Sequence, residues 1–142
     1  AALGVLQLKH IGTAIARRRH IDDAYRAALQ HVKGIRCLEK SGEVVPNYAY
    51  FPILVQEGYA LTREELNQTL KSQGIFPRRY FFPLISEFPM YRGLPSADKA
   101  GLPVASLASS QILCLPIYPD LSLAKVQEIA AIIAAHSGPG PT

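Results

Sequence analysis

Cysteine is scarce in this chain: 142 residues carry only Cys37 and Cys114. Both fall inside apolar segments that read as strands, which predicts two reduced core thiols rather than a disulfide framework. No CxxC or Cys/His spacing is present, so no metal site is expected. Charge is also thin, at 18% of residues with a net +4, and much of the excess comes from Arg17, Arg18 and Arg19. Consecutive helical residues fan out by about 100°, so these three cannot make one flat basic patch. No Lys/Arg run is interleaved with aromatics, and nucleic acid is not an expected partner. The longest apolar runs, such as residues 129–135, are far short of the ~18 needed to span a bilayer. The first ten residues lack the basic-then-apolar layout of a signal peptide. A cytoplasmic protein with no membrane partner is the expectation.

A start signal is missing too. The opening Ala1-Ala-Leu-Gly-Val-Leu-Gln-Leu8 is already in helical register, with no capping residue ahead of it. That predicts a fragment of a longer protein. The tail, residues 137–142, is a Gly-Pro alternation that can hold neither helix nor ladder, and it is expected to be disordered. Residues 1–136 form the expected domain, and with 49% hydrophobic residues they suffice for one core.

What is present is periodicity. Leu8, Ile11, Ile15, Ile21, Tyr25, Leu29 and Val32 recur mostly at three- and four-residue spacing, predicting amphipathic helix from residue 2 to 33. Gly12-Thr13 predicts a break, since glycine costs about 1 kcal/mol inside a helix and threonine caps well; Gly34 suits the position just past the helix end. Residues 35–39 and 48–56 read as strands, with Pro52 requiring an edge or a bulge. Thr62-Arg-Glu-Glu65 has capping-box spacing and predicts a helix to Ser72, closed by Gly74. Residues 79–82 read as a third strand, and 83–102 as irregular. Pro103 opens a helix to about Ser110. Residues 112–117 read as a fourth strand, and 121–135 as a last helix capped by Ser122 or Asp120. No internal repeat is visible. About four short strands among helices predict an α+β fold, a small mostly antiparallel sheet with helices packed on one face.

Self-contained catalysis is not legible. The serines lack His and Asp partners at motif spacing, and no glycine-rich phosphate loop follows a strand. His10 and His20 are too far apart to share a helix turn, while His31 and His136 read as helix-surface residues. None of Lys9, Lys33, Lys40, Lys71, Lys99 or Lys125 stands in the apolar or aromatic setting that favours a Schiff base. The stretch Pro77-Arg-Arg-Tyr-Phe-Phe-Pro-Leu-Ile-Ser-Glu-Phe-Pro-Met-Tyr91 differs. It gathers guanidinium groups, which pair with phosphate or carboxylate, and rings, which stack on bases or sugars. On these residues alone it is either a ligand-contacting loop or a structural cover for the sheet edge.

Four stretches resemble the DegT/DnrJ/EryC1/StrS aminotransferases, in that family's order and spacing: the opening Ala1–Leu8, Arg17-Arg-Arg-His-Ile-Asp-Asp-Ala-Tyr25, Arg79-Tyr-Phe-Phe-Pro-Leu84, and Ile112-Leu-Cys-Leu-Pro-Ile117 with Leu121. The resemblance implies the C-terminal small domain of the aspartate-aminotransferase fold, with the opening helix as the tail of the interdomain helix. It further implies a homodimeric parent that uses PLP to move an amino group from glutamate or a similar donor onto a nucleotide-linked keto sugar. The lysine that carries PLP and the acid that faces its pyridine nitrogen lie, in that family, ahead of the opening helix. No catalytic or cofactor-binding residue is therefore expected here, and the chain alone should be inactive. Arg79, Tyr80, Phe82, Ile85, Ser86 and Tyr91 are the substrate-contact candidates. Many members carry histidine where this chain has Ile85, so no histidine role transfers. The Pro-Leu-Ile-Ser-Glu-Phe-Pro-Met-Tyr version resembles a branch that aminates C3 of dTDP-linked keto-deoxyhexoses. The alternative, from another class, is a free-standing small-molecule-binding or regulatory α+β module.

Overall fold

A computed structural model describes residues 2–40 and 42–138. Of the expected tail, residues 139–142 lie outside the described residues. Ser137 is anchored, its Oγ accepting the Lys33 N–H at 3.3 Å.

The helical opening divides into α1 (Ala2–Leu8) and α2 (Ile11–Leu29). The break falls at Lys9 and His10, two residues before the expected Gly12-Thr13. Gly12 then occupies the first turn of α2, where backbone N–H groups lack helical partners anyway and glycine costs little. α2 buries Ile21, Asp22, Tyr25 and Leu29 along one face. Past its end, Gly34 has φ +77°, and a Cβ there would lie 2.3 Å from the Tyr59 backbone nitrogen. The carbonyl of Gly34 accepts the Gln56 N–H at 2.8 Å, so two turns are pressed together at a residue with no side chain.

The sheet has three antiparallel strands among the described residues: β1 (Ile35–Cys37), β2 (Phe51–Val55) and β3 (Ile112–Leu115), in that spatial order. The strand expected at 112–117 is present as β3, and the one expected at 79–82, third in chain order, is absent. Its place is taken by one bridge, in which Arg78 and Cys114 exchange N–H···O bonds of 2.9 and 2.7 Å. Pro77 has no N–H to extend the ladder, and Phe82 N–H turns back onto Arg79 O at 3.0 Å.

Pro52 sits in the central strand, neither at an edge nor in a bulge. Cys114 directs both backbone groups at Arg78, so its pair with Pro52 is the non-hydrogen-bonded kind. The Pro52 nitrogen therefore faces the β1 side, where pairing has already stopped at Cys37 and Ile53. The missing donor falls beyond the ladder's end.

In this register Ile35, Cys37, Phe51, Ile53, Val55, Leu113 and Leu115 share one face. They pack with the apolar faces of α2 and of α5 (Leu123–Ala134), whose Val126, Ile129, Ala130 and Ile133 are buried. A small antiparallel sheet combined with helices is the expected α+β class, with α2 and α5 packed on this face. Cys37 and Cys114 lie on opposite faces, both free, and burial pushes both thiols up.

The helix α3 (Arg63–Ser72) starts on the predicted capping box. Thr62 Oγ1 accepts Glu65 N–H at 3.3 Å, and Thr62 N–H donates to Glu65 Oε2 at 2.7 Å. Pro103 opens α4 (Pro103–Gln111), and Ser122 caps α5 by accepting Lys125 N–H at 3.2 Å. Between Arg78 and α4 the chain runs through three single 3-10 turns, at Ile85–Glu87, Pro95–Ala97 and Lys99–Gly101.

Candidate functional site

The segment after the Arg78 bridge sends its side chains in two directions. Arg78 and Tyr80 go one way. The Arg78 guanidinium donates to the Tyr80 hydroxyl and lies 5.7 Å from the centre of the Tyr80 ring. Tyr80 in turn meets Tyr50 edge-on, at 5.1 Å between centroids and 80° between planes. These groups line an open cleft of about 530 Å³ beside β3, with Phe76, Tyr118 and Lys125 on its rim and Leu115, Leu121 and Ile129 as its floor.

Arg79 and Phe82 go to the N-terminus of α3. The Phe82 ring lies 4.5 Å from the Arg63 guanidinium carbon and 5.3 Å from that of Arg79. Both guanidiniums bond Glu64 Oε2, Arg79 at 2.9 Å and Arg63 at 3.5 Å. Burial pushes the Glu64 carboxyl up, but donation from Asn67 and Gln68 and the two arginine charges hold it below the usual carboxylate range.

Ile85 and Ser86 form the first 3-10 turn, where Leu84 N–H donates to Glu87 Oε2 at 3.2 Å. Lys99 beside Glu87, at 2.6 Å, lowers that carboxyl and ties the turn to the segment before α4. Ile85 is 65% exposed, and Phe88, Met90 and Tyr91 also present apolar surface to solvent.

The six candidate residues are thus not one cluster. Tyr80 belongs to the cleft, Arg79 and Phe82 to the α3 clamp, and Ile85, Ser86 and Tyr91 to the outer loop. Sequence reasoning missed Glu64, Arg63, Tyr50 and Tyr118. Glu64 was visible only as an acidic residue in the first turn of a helix, and no spacing signalled its partners.

The arrangement can bind, through rings, guanidiniums and a hydroxyl. Among the described residues no group of three or more His, Cys, Asp and Glu could hold a metal ion, and no helix is long and apolar enough to cross a membrane. None of the six lysines is buried, and Lys40, Lys99 and Lys125 are held by carboxylates at 2.6–2.8 Å. Burial lowers the affinity of Lys40 for its proton, but Asp22 and Asp23 outweigh this and raise its pKa, the wrong direction for a nucleophilic amine.

With that geometry in hand, the relatives are informative. The family model for DegT/DnrJ/EryC1/StrS aminotransferases matches residues 1–134. The chain is 43% identical over 133 residues to an Escherichia coli protein named dTDP-4-amino-4,6-dideoxy-D-glucose transaminase, covering 94% of this chain and 36% of that one. This chain spans about a third of the length of the curated relatives it matches. Its fold matches that of DesI, solved in the presence of its TDP-sugar product, with a TM-score of 0.85 at 24% identity, covering 96% of this chain and 34% of that one. A Streptococcus pneumoniae protein provisionally assigned as a sugar aminotransferase, in its PLP form, superposes with a TM-score of 0.83 at 23% identity, covering 95% and 34%.

Proposed function

The chain belongs to the DegT/DnrJ/EryC1/StrS aminotransferase family, and from that premise we propose that it is the C-terminal small domain of a PLP-dependent enzyme that aminates a nucleotide-linked keto sugar. The donor is an amino acid of the glutamate type, and the parent is a cytoplasmic homodimer. The lysine that carries PLP belongs to the parent's large domain, so the 142 residues alone bind no PLP covalently and turn over nothing. In the parent, PLP supplies the electron sink for amino transfer, and the residues seen here bind and orient the sugar.

The observation that carries this reading is the loop 79–91, irregular backbone with exposed rings and a hydroxyl, braced at its base against α3. It forms one wall of the sugar-nucleotide site, with Tyr80 and Ser86 nearest the hexose. Ile85, exposed and apolar, faces the deoxy or methyl position of the sugar. In support of a deoxy sugar as the ligand, the Escherichia coli relative is named for a 4-amino-4,6-dideoxy sugar. That favours C4 over the C3 position suggested by the wording of the loop. The matching of nearly the whole chain to about a third of a transaminase also favours this reading over a free-standing binding module.

The test uses the full-length protein. A buried methyl contact contributes on the order of 1 kcal/mol. Ile85→His should therefore lower the preference in kcat/KM for 6-deoxy over 6-hydroxy sugars about fivefold, and Tyr80→Ala should raise the sugar KM. If neither substitution changes sugar discrimination or affinity, the loop is structural and this assignment is wrong.

A further inference from the structure

Glu64 is the second residue of α3, and its carboxylate accepts hydrogen bonds from four side chains. Oε1 takes Asn67 Nδ2 and Gln68 Nε2, each at 3.2 Å; Oε2 takes Arg79 at 2.9 Å and Arg63 at 3.5 Å. Two of these donors are fixed in the body of the domain. Asn67 is 1% exposed and Arg63 is 8% exposed, and Arg63 Nε also donates to the Ser110 carbonyl near the end of α4, at 3.2 Å. The fourth donor, Arg79, is fifteen residues away, at the base of the loop.

Helix capping does not explain this convergence. The cap of α3 is complete without Glu64, because Thr62 and Glu65 satisfy each other. A negative charge in the first turn is favourable in any orientation, and needs no buried asparagine to aim it. The aim is what the structure supplies. An exposed ion pair between two free side chains is weak, because both must be ordered to form it. Here the carboxylate is already ordered by Asn67 and Arg63, so only Arg79 has to be fixed. Once fixed, Arg79 and Arg63 both flank the ring of Phe82.

We infer that Glu64 is a positioning residue for the sugar substrate: through Arg79 and Phe82 it sets the stance from which Tyr80 and Ile85 meet the ligand. This rests on the reading of the loop as a wall of the sugar site. Glu64 itself touches no reacting atom. Its role is to keep the loop in one conformation before substrate arrives, so that ordering the loop is not charged against binding.

The experiment is Glu64→Gln in the full-length enzyme, which keeps the size of the side chain and removes its charge. The KM for the nucleotide sugar should rise about tenfold, as expected for a misplaced binding wall. The KM for the amino donor, and the rate of the half-reaction with donor alone, should not move. Amide exchange at Phe82, whose N–H bonds Arg79 O at 3.0 Å, should accelerate with the rest of 79–91 while α3 stays protected. Arg79→Gln should reproduce the effect, and the double variant should be no worse than either single one. Unchanged exchange in 79–91 overturns the inference, as do donor and sugar KM rising together or single effects that simply multiply. If Tyr80→Ala and Ile85→His alter sugar handling while Glu64→Gln does not, this inference fails and the loop assignment stands. If none of the three does, the loop assignment fails and takes this inference with it.

Discussion

Tyr25 of α2 and Phe51 of β2 stack with 4.8 Å between ring centroids and 26° between planes, while the Tyr25 hydroxyl donates to the Pro116 carbonyl at 3.1 Å. Both rings are fully buried. Burial, with a smaller push from Tyr118, keeps the phenol un-ionised far above its ordinary pKa. One residue thus joins the main helix, the central strand and the exit of β3. Tyr25→Phe removes only the hydrogen bond and should cost about 1 kcal/mol. Tyr25→Ala also opens a cavity and should cost ~3–5 kcal/mol. Urea denaturation midpoints measure both, and equal losses would contradict the division between ring and hydroxyl.

Two glycines with positive φ separate backbone strain from steric clash. Gly74 has φ +72° with open space where a Cβ would stand, whereas a Cβ at Gly34 meets the Tyr59 backbone. Gly74→Ala should cost about 1 kcal/mol, the strain of a left-handed residue alone. Gly34→Ala should cost several times more, because backbone must move. Thermal melts of the two variants give the order, and a smaller loss at Gly34 would mean that the two turns are not in contact.

Asp22, Asp23 and Lys40 form a pH-bounded latch between α2 and the segment after β1. Lys40 Nζ lies 2.6 Å from Asp22 and 2.8 Å from Asp23, and Arg26 Nε bonds the buried Asp22 at 2.8 Å. The hydrogen bond from Lys40 is the main reason the Asp23 carboxyl sits below 3.8. A lowered carboxyl contributes stability above its unfolded pKa and loses it as pH falls through the folded value. The raised Lys40 contributes below 10.5 and loses its share as pH rises through its folded value. The difference in urea midpoint between wild type and Lys40→Met should therefore be largest at neutral pH and shrink on both flanks. A pH-independent difference would reduce Lys40 to its packing against Tyr48, 5.2 Å from the ring centre.

Helix α1 buries none of its residues, and Leu3 and Leu8 are 70% and 69% exposed. By itself the 142-residue chain should associate through this face. Light scattering should show a size that grows with concentration, and Leu6→Glu with Leu8→Glu should restore a monomer. A clean monomer at every concentration, with no binding of an apolar dye, would count against it.

Incubation with PLP followed by borohydride should leave no stoichiometric adduct on any one lysine of this chain, since none of the six is buried. Peptide mapping that finds one fully modified lysine would refute the placement of the cofactor lysine elsewhere in the parent.

Signals that act within four residues were legible in the sequence. The faces of α2 and α5, the Thr62–Glu65 box, Pro103 at the start of α4 and Ser122 ahead of α5 all depend on neighbours one helical turn away. The loop 78–91 was also marked by its composition, and the family by four stretches in order. The strand at 79–82 was misread because aromatic residues there favour a ladder only where a partner is free to pair. Pro77 and the turn from Arg79 to Phe82 leave a single bridge at Arg78. Pro52 was misread for the converse reason: whether a proline is tolerated depends on where the neighbouring strand stops, and β1 stops one residue short. Glu64 meets Arg79 across fifteen residues, and Arg63 meets Ser110 across forty-seven. A charge is strengthened by whatever lies within a few ångströms, and sequence separation carries no record of that distance. Local hydrogen bonding chose the elements, and packing chose which arginines the glutamate would hold.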